Sequence, residues 1–235
     1  MQLKGYAISS IQTVISQLKS ALRWAAQFRA EISMTYSNVK VPTYEVHRVA
    51  FTPDDISRIW HKDLNGLGLR KDLIESLDRV RDMICLMANT GLRYSDARRL
   101  TKEHFKNGVI EILQQKTKMF AHIDIARMAI HKEMTIAILE KYDYQAPVTT
   151  DLSNFDKKLH MLMKLCGFDD IFQQEVIQNG KVTIKREIKY NLITSHTGRR
   201  TFVVNAALRG VPIAEIMRAT GHKTYGAFRR YLQYY

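Results

Sequence analysis

Apolar residues recur at three- and four-residue spacing from Ile11 through Val14, Ile15, Leu18, Leu22 and Ala25 to Ile32. That period predicts one long amphipathic helix, with Ser9 and Ser10 available to cap its start. The opposite stripe, Gln12, Ser16, Lys19, Arg23 and Gln27, carries donors and cations that suit phosphates or base edges and equally suit an ordinary solvated face. Periodicity lapses over residues 35–50, which contain Pro42 and read as a linker. It resumes sharply at Thr52-Pro53-Asp54-Asp55, where threonine can cap a helix, proline suits its first position and the two acids favour the positive end of its dipole. A further helix is predicted over residues 71–89, with Leu73, Leu77, Val80, Ile84 and Met87 inward and a stop at Gly91, and a short one over 95–100.

The period then changes to two. Residues 109–113 and 119–125 alternate around Lys116-Thr117-Lys118, which predicts a small antiparallel hairpin, and residues 181–189 read as a third strand. Helices are predicted over 131–142, 152–166, 197–209, from Pro212 to Gly221 and over 223–234, whereas 168–179 is ambiguous. The fold class is therefore mainly α (α+β): a helical domain with a small antiparallel three-stranded sheet, preceded by a helical segment.

A hydrophobic content of 46% over 235 residues supports a real core, and no apolar run is long enough for a membrane span. The N-terminal sequence lacks the apolar centre of a signal peptide, so the expected location is cytoplasmic. Cys85 and Cys166 fall in apolar helical patterns, far from a C-x-x-C spacing, and read as reduced core thiols. The net charge of +13 points to a polyanionic partner, and its distribution strengthens that reading. Residues 1–50 carry six Lys/Arg against two acids, 51–180 nineteen against nineteen, and 181–235 eleven against two. Charge kept for solubility alone would be spread more evenly.

The most basic stretch also holds the candidate chemistry. His196 and Arg199 stand three apart at a predicted helix start, where both side chains and the free backbone N–H groups can face one anion. His222 follows Gly221 at a helix junction, and the nine-residue step to Tyr231 can return the phenol beside it across a turn and a helix. Alone, each feature fits an ordinary helix start or one of eleven tyrosines; together they supply what phosphoryl transfer to a tyrosine needs.

The strings T-G-L-R-Y-S-D-A at 90–97, Q-K-T-K at 115–118, S-H-T-G-R-R at 195–200 and G-H-K-T-Y-G-A-F-R-R-Y at 221–231 resemble, in order and spacing, the tyrosine recombinase (phage integrase) family. The likeness is greatest to integrases of bacterial conjugative transposons and other mobile elements. It covers residues 50–235 and likens the N-terminal helix to the last helix of the family's core-binding domain. The implied organisation is a partial core-binding segment at 1–35, a linker at 36–50 and a catalytic domain at 51–235.

The resemblance makes Arg93 and Arg199 the arginines that hold the scissile phosphate, for which a planar, permanently charged fork is suited. His196 becomes the histidine that contacts the phosphate and assists proton transfer, His222 the second-histidine (or tryptophan) position, and Tyr231 the nucleophile. Lys116 matches the lysine that protonates the 5′-oxygen leaving group, with Lys118 a nearby competitor. Asp96 falls where the family carries an acid that orients the first arginine, a supporting role. DNA contact is expected of Lys19, Arg23, Lys118, Arg200 and Lys223. The implied activity is metal-independent, cofactor-free site-specific recombination through a 3′-phosphotyrosyl link, in a bacterial cytoplasm and at the nucleoid. The implied partners are double-stranded DNA, further copies forming a homotetramer on DNA from a monomer in isolation, and accessory DNA-bending proteins.

Two other functions fit part of this pattern. A type IB topoisomerase would use the same residues to relax supercoils without exchanging partners. A non-catalytic DNA-binding regulator would use G-V-P-I-A-E-I-M-R-A-T-G-H at 210–222 as a helix-turn-helix, leaving the set of Arg93, Lys116, His196, Arg199, His222 and Tyr231 a coincidence.

Overall fold

The computed structural model of the chain describes residues 8–28, 33–39, 49–147, 151–178 and 181–232. Ile32 and most of the expected linker lie outside them. The chain divides into two compact units, one comprising the residues to His47 with Phe172–Glu187, the other Arg48–Ile171 with Ile188–Tyr235. In the first, α1 (Ile8–Gln27) is the expected amphipathic helix, followed by a 3-10 turn at Met34–Asn38. Its inward stripe is narrower than the sequence suggests. Ile11 is buried and Ile15, Leu22 and Ala25 half-buried, whereas Val14 and Leu18 are exposed.

The second unit begins with α2 (Pro53–Trp60), whose Thr52 cap and Asp55 exchange the reciprocal hydrogen bonds of a capping box. Next come α3 (Lys71–Thr90), α4 (Tyr94–Ala97), strands β1 (Phe105–Lys106), β2 (Val109–Leu113) and β3 (Phe120–Asp124), and helices α5 (Ile125–Met128), α6 (Lys132–Lys141) and α7 (Leu152–Leu165). After β4 (Ile171–Gln178) and β5 (Lys181–Ile188), the unit resumes with α8 (Lys189–Leu192), α9 (Ser195–Leu208), α10 (Ile213–Thr220) and α11 (Tyr225–Leu232). The C-terminal half of α3 is buried on every side, as a helix at the centre of a core must be. α9 lies against it so closely that a Cβ on Gly198 would stand 2.9 Å from the Met87 Cβ.

The sheet is antiparallel and three-stranded, in the order β1-β2-β3, with Val109 to Leu113 of β2 opposite Asp124 to Phe120 of β3. Its third strand is not residues 181–189. It is Phe105–Lys106, turned back by Asn107 and Gly108, whose φ angles of 52° and 79° suit the two-residue turn that an Asn-Gly pair favours between twisted strands. β5 instead pairs with β4 in a separate two-stranded sheet. Most of that hairpin groups with the N-terminal unit, within residues the sequence reading gives to the catalytic domain.

Cys85 and Cys166 are buried free thiols, and burial pushes both upward, Cys166 to about 11. Among the described residues no helix is long and apolar enough to cross a membrane.

Candidate active site

Tyr231 is aimed by its own helix. Thr224 caps α11 through the N–H of Ala227, and Phe228, fully buried, anchors the helix edge-on against His222 with ring centroids 5.5 Å apart. Tyr231 stands three residues further on, on the same face. Its hydroxyl lies 2.8 Å from Nε2 of His196, and its ring meets His222 edge-on at 5.0 Å.

His196 and Arg199 rise from the start of α9. That start is held by a capping box between Thr194 and Thr197 and by Asp156 of α7, whose Oδ1 accepts the Ser195 N–H at 2.8 Å. Burial raises the Asp156 carboxyl above its ordinary value. Arg199 is fully buried and donates to the carbonyls of Gly91, at 2.9 Å, and Thr220. Those carbonyls end α3 and α10, so one guanidinium ties two helix C-termini, where a cation is favoured. Gly91 has φ 70°, and a Cβ there would come within 2.4 Å of Phe202, which is why T-G-L-R needs glycine. Burial, then the nearby Arg93 charge, bring Arg199 down to about 10, while the neighbouring Tyr231 works the other way.

Arg93 stands at the N-cap position of α4, and its side chain, free of any capping bond, points into the same cluster. Its Nη1 donates to Oε1 of Gln114 and lies 3.8 Å from the fully buried Asp96 carboxylate. Asp96 also accepts the Gln115 N–H at 2.9 Å, which fixes the base of the β2–β3 turn against α4. Lys116 and Lys118 stand exposed on that turn.

His222 is held in one tautomer. Thr220 Oγ1 donates to the Ile216 carbonyl, so at 2.8 Å it accepts from His222 Nδ1–H. That leaves the lone pair of Nε2 toward Arg199 Nη2, 3.3 Å away. Burial and then the charges of Arg199, Arg93 and His196 push His222 down to about 3, so it is neutral at pH 7. In this arrangement His222 orients Arg199 by accepting from it. Because the folded value lies below the unfolded one, this group costs stability as pH falls from about 6.5 toward about 3, where the unfolded chain binds the proton first. Urea midpoints from pH 7 to pH 4 should therefore fall more steeply for the wild-type protein than for His222→Gln; parallel slopes would contradict the assignment.

The structure thus brings Arg93, His196, Arg199, His222 and Tyr231 into one cluster and carries Lys116 on the adjoining turn. The expected DNA contacts fare differently. Lys223 and Lys118 are exposed, as is Arg23 on α1, and Lys19 donates to the carbonyls of Ser37 and Val39 at 2.9 and 2.7 Å. Arg200 is not placed for DNA: it is 5% exposed and donates to the Val49 carbonyl at 2.7 Å. One residue beyond Arg199, a helix has turned about 100°, which directs Arg200 to the chain entering the unit. Gln114 and Thr220 are absent from the sequence reading. Gln114 had a signal: the alternation that buries Ile110 and Ile112 puts a polar residue at the next inward position.

Comparison with known proteins agrees with this fold. No curated protein matches the chain. Among solved structures it is similar to a lambda integrase (residues 75–356) dimer bound to a COC' core site, at 14% identity and TM-score 0.67, covering 97% of this chain and 74% of that one. It is also similar to the Tn1549 transposon integrase (residues 82–397) in complex with circular intermediate DNA, at 16% and 0.61, covering 98% and 76%. For XerA recombinase the values are 15% and 0.51, covering 94% and 70%. At these identities the likeness is one of fold. The profile of the phage integrase family matches residues 51–235, the stretch that contains the whole cluster, and the chain belongs to that family, the tyrosine recombinases.

Proposed function

We propose that this tyrosine recombinase cleaves DNA with Tyr231 and rejoins it through a 3′-phosphotyrosyl intermediate. The observation that carries the reading is the 2.8 Å contact between the Tyr231 hydroxyl and His196 Nε2 beside buried Arg199. A free phenol, with a pKa of about 10, attacks poorly near neutral pH. Here a cation stabilises the developing negative oxygen and an imidazole accepts its proton.

The step balances within the chain's own groups. Tyr231 Oη bonds to phosphorus, its proton passes to His196, and the bond to the 5′-oxygen breaks. Lys116 supplies the proton for that leaving oxygen, consistent with its place on an exposed turn tethered next to Arg93 by Gln114 and Asp96. Arg93 and Arg199 hold the non-bridging oxygens and take up the charge of the pentacoordinate state. Attack by another strand's 5′-hydroxyl reverses the sequence and completes exchange.

Assembly on DNA follows the same reading. The lambda integrase structures are a dimer on a core site and a tetramer bound to a Holliday junction, which supports a homotetramer of this chain on its site; in isolation the chain is read as a monomer. Accessory DNA-bending proteins and a nucleoid location belong to the same proposal.

The test is covalent trapping. A nicked duplex carrying the recombination site, whose short leaving strand diffuses away, should yield a protein–DNA adduct with the nucleotide on the Tyr231 peptide. Because fixed cations supply the charge stabilisation, the adduct should form at the same rate in excess EDTA; loss of the reaction in EDTA would contradict metal independence. Relaxation of any supercoiled plasmid without site-specific joints would favour the topoisomerase instead.

A further inference from the structure

We propose that Gln114 is a positioning residue that sets Arg93 for phosphate binding and couples it to the turn carrying Lys116. This rests on the reading of Arg93 as a phosphate ligand.

Gln114 is fully buried at the end of β2, yet it is polar, and its side chain reaches three parts of the site. Oε1 accepts from Arg93 Nη1 and from Thr117 Oγ1 at 3.0 Å, and Thr117 is the neighbour of Lys116. The amide lies over Gly221, so close that a Cβ there would meet Oε1 at 2.3 Å; Gly221 precedes His222 and has φ 65°. Its backbone closes the turn as well, its N–H donating to Met119 at 2.9 Å and its carbonyl accepting from Lys118 at 3.0 Å.

The amide orientation follows from chemistry. Arg93 can only donate, so the atom facing it must be the oxygen, and Nε2 is then left buried without a partner among the described residues. An unsatisfied buried donor costs stability, so packing alone would favour an apolar side chain of the same shape. What glutamine adds is an uncharged acceptor that directs Arg93 without neutralising it. Asp96, the acidic partner of Arg93, is 3.8 Å away and shared with Arg99 at the same distance, so Gln114 makes the shorter and more directional contact.

The test is a double-mutant cycle of Gln114→Met with Arg93→Lys, read as the single-turnover rate constant of adduct formation on bound nicked DNA, with DNA affinity and the urea midpoint measured beside it. Methionine keeps the length and the packing on Gly221 and removes the acceptor. The expected result is a rate constant about tenfold lower, DNA affinity within about twofold, a midpoint that does not fall, and less than about threefold further loss when Gln114→Met is added to Arg93→Lys. A slow Arg93→Lys with Gln114→Met at the wild-type rate would overturn this inference alone. So would a full further tenfold loss in the double variant, or a rate loss matched by a fall in the midpoint. If Arg93→Lys itself cleaved like the wild type, the reading of Arg93 would fail and this inference with it.

Discussion

Replacing Tyr231 by phenylalanine is expected to abolish the covalent adduct, with a loss of at least about a thousandfold, while DNA affinity and fold survive. The substitution keeps the ring that packs edge-on against His222 and removes only the hydroxyl bonded to His196. One half-buried hydrogen bond contributes about 1 kcal/mol, so folding is not at risk. Chemistry is, because the hydroxyl that is removed is the proposed nucleophile, held 2.8 Å from His196 Nε2. Denaturing electrophoresis reads the adduct and fluorescence anisotropy reads binding. A wild-type yield of adduct from Tyr231→Phe would sink the assignment and move attention to Tyr225, 53% exposed on the same helix, and to Tyr234 and Tyr235 outside the described residues.

What sequence could reveal here depended on whether a signal was local. The helices of the second unit are legible because their periods and stops lie within a few turns: Thr52-Pro53 starts α2 and Gly91 ends α3. The third strand escaped because two residues of β1 are too short for alternation, although Asn107-Gly108 marked the turn beside them. The site residues were named from motif strings, and spacing alone could not show what holds them. Arg199 is tethered to Gly91, 108 residues away, and Arg93 to Gln114, 21 residues away; neither pairing has a local period. Arg200 shows the converse failure. Its place beside Arg199 in a basic string suggested phosphate, but charge in a string says nothing about which way a helix turns it, and the fold spends that arginine on the Val49 carbonyl.

Arg199→Ala is expected to lower cleavage of bound DNA by about a thousandfold, the scale of a lost transition-state donor, and to destabilise the fold far less than full burial suggests. Two effects oppose each other. The carbonyls of Gly91 and Thr220 lose a buried donor, at roughly 1–3 kcal/mol each. Against that, holding the guanidinium in a buried place beside Arg93 has brought it from 12.5 to about 10, which corresponds to roughly 3 kcal/mol of strain that the substitution releases. The net change should therefore lie between a gain of about 1 and a loss of about 3 kcal/mol, readable in urea denaturation. A domain of ordinary stability, about 5 kcal/mol or more, would remain more than about nine-tenths folded after such a loss, so unfolding could not account for a thousandfold fall in rate. Binding should change little, since most phosphate contacts on a DNA site lie outside the scissile one. The decisive comparison is the single-turnover rate on saturating DNA: if bound DNA were cleaved at the wild-type rate while affinity dropped, Arg199 would be a DNA-holding residue and a helix tie, and the transition-state charge would have to be met by Arg93 alone.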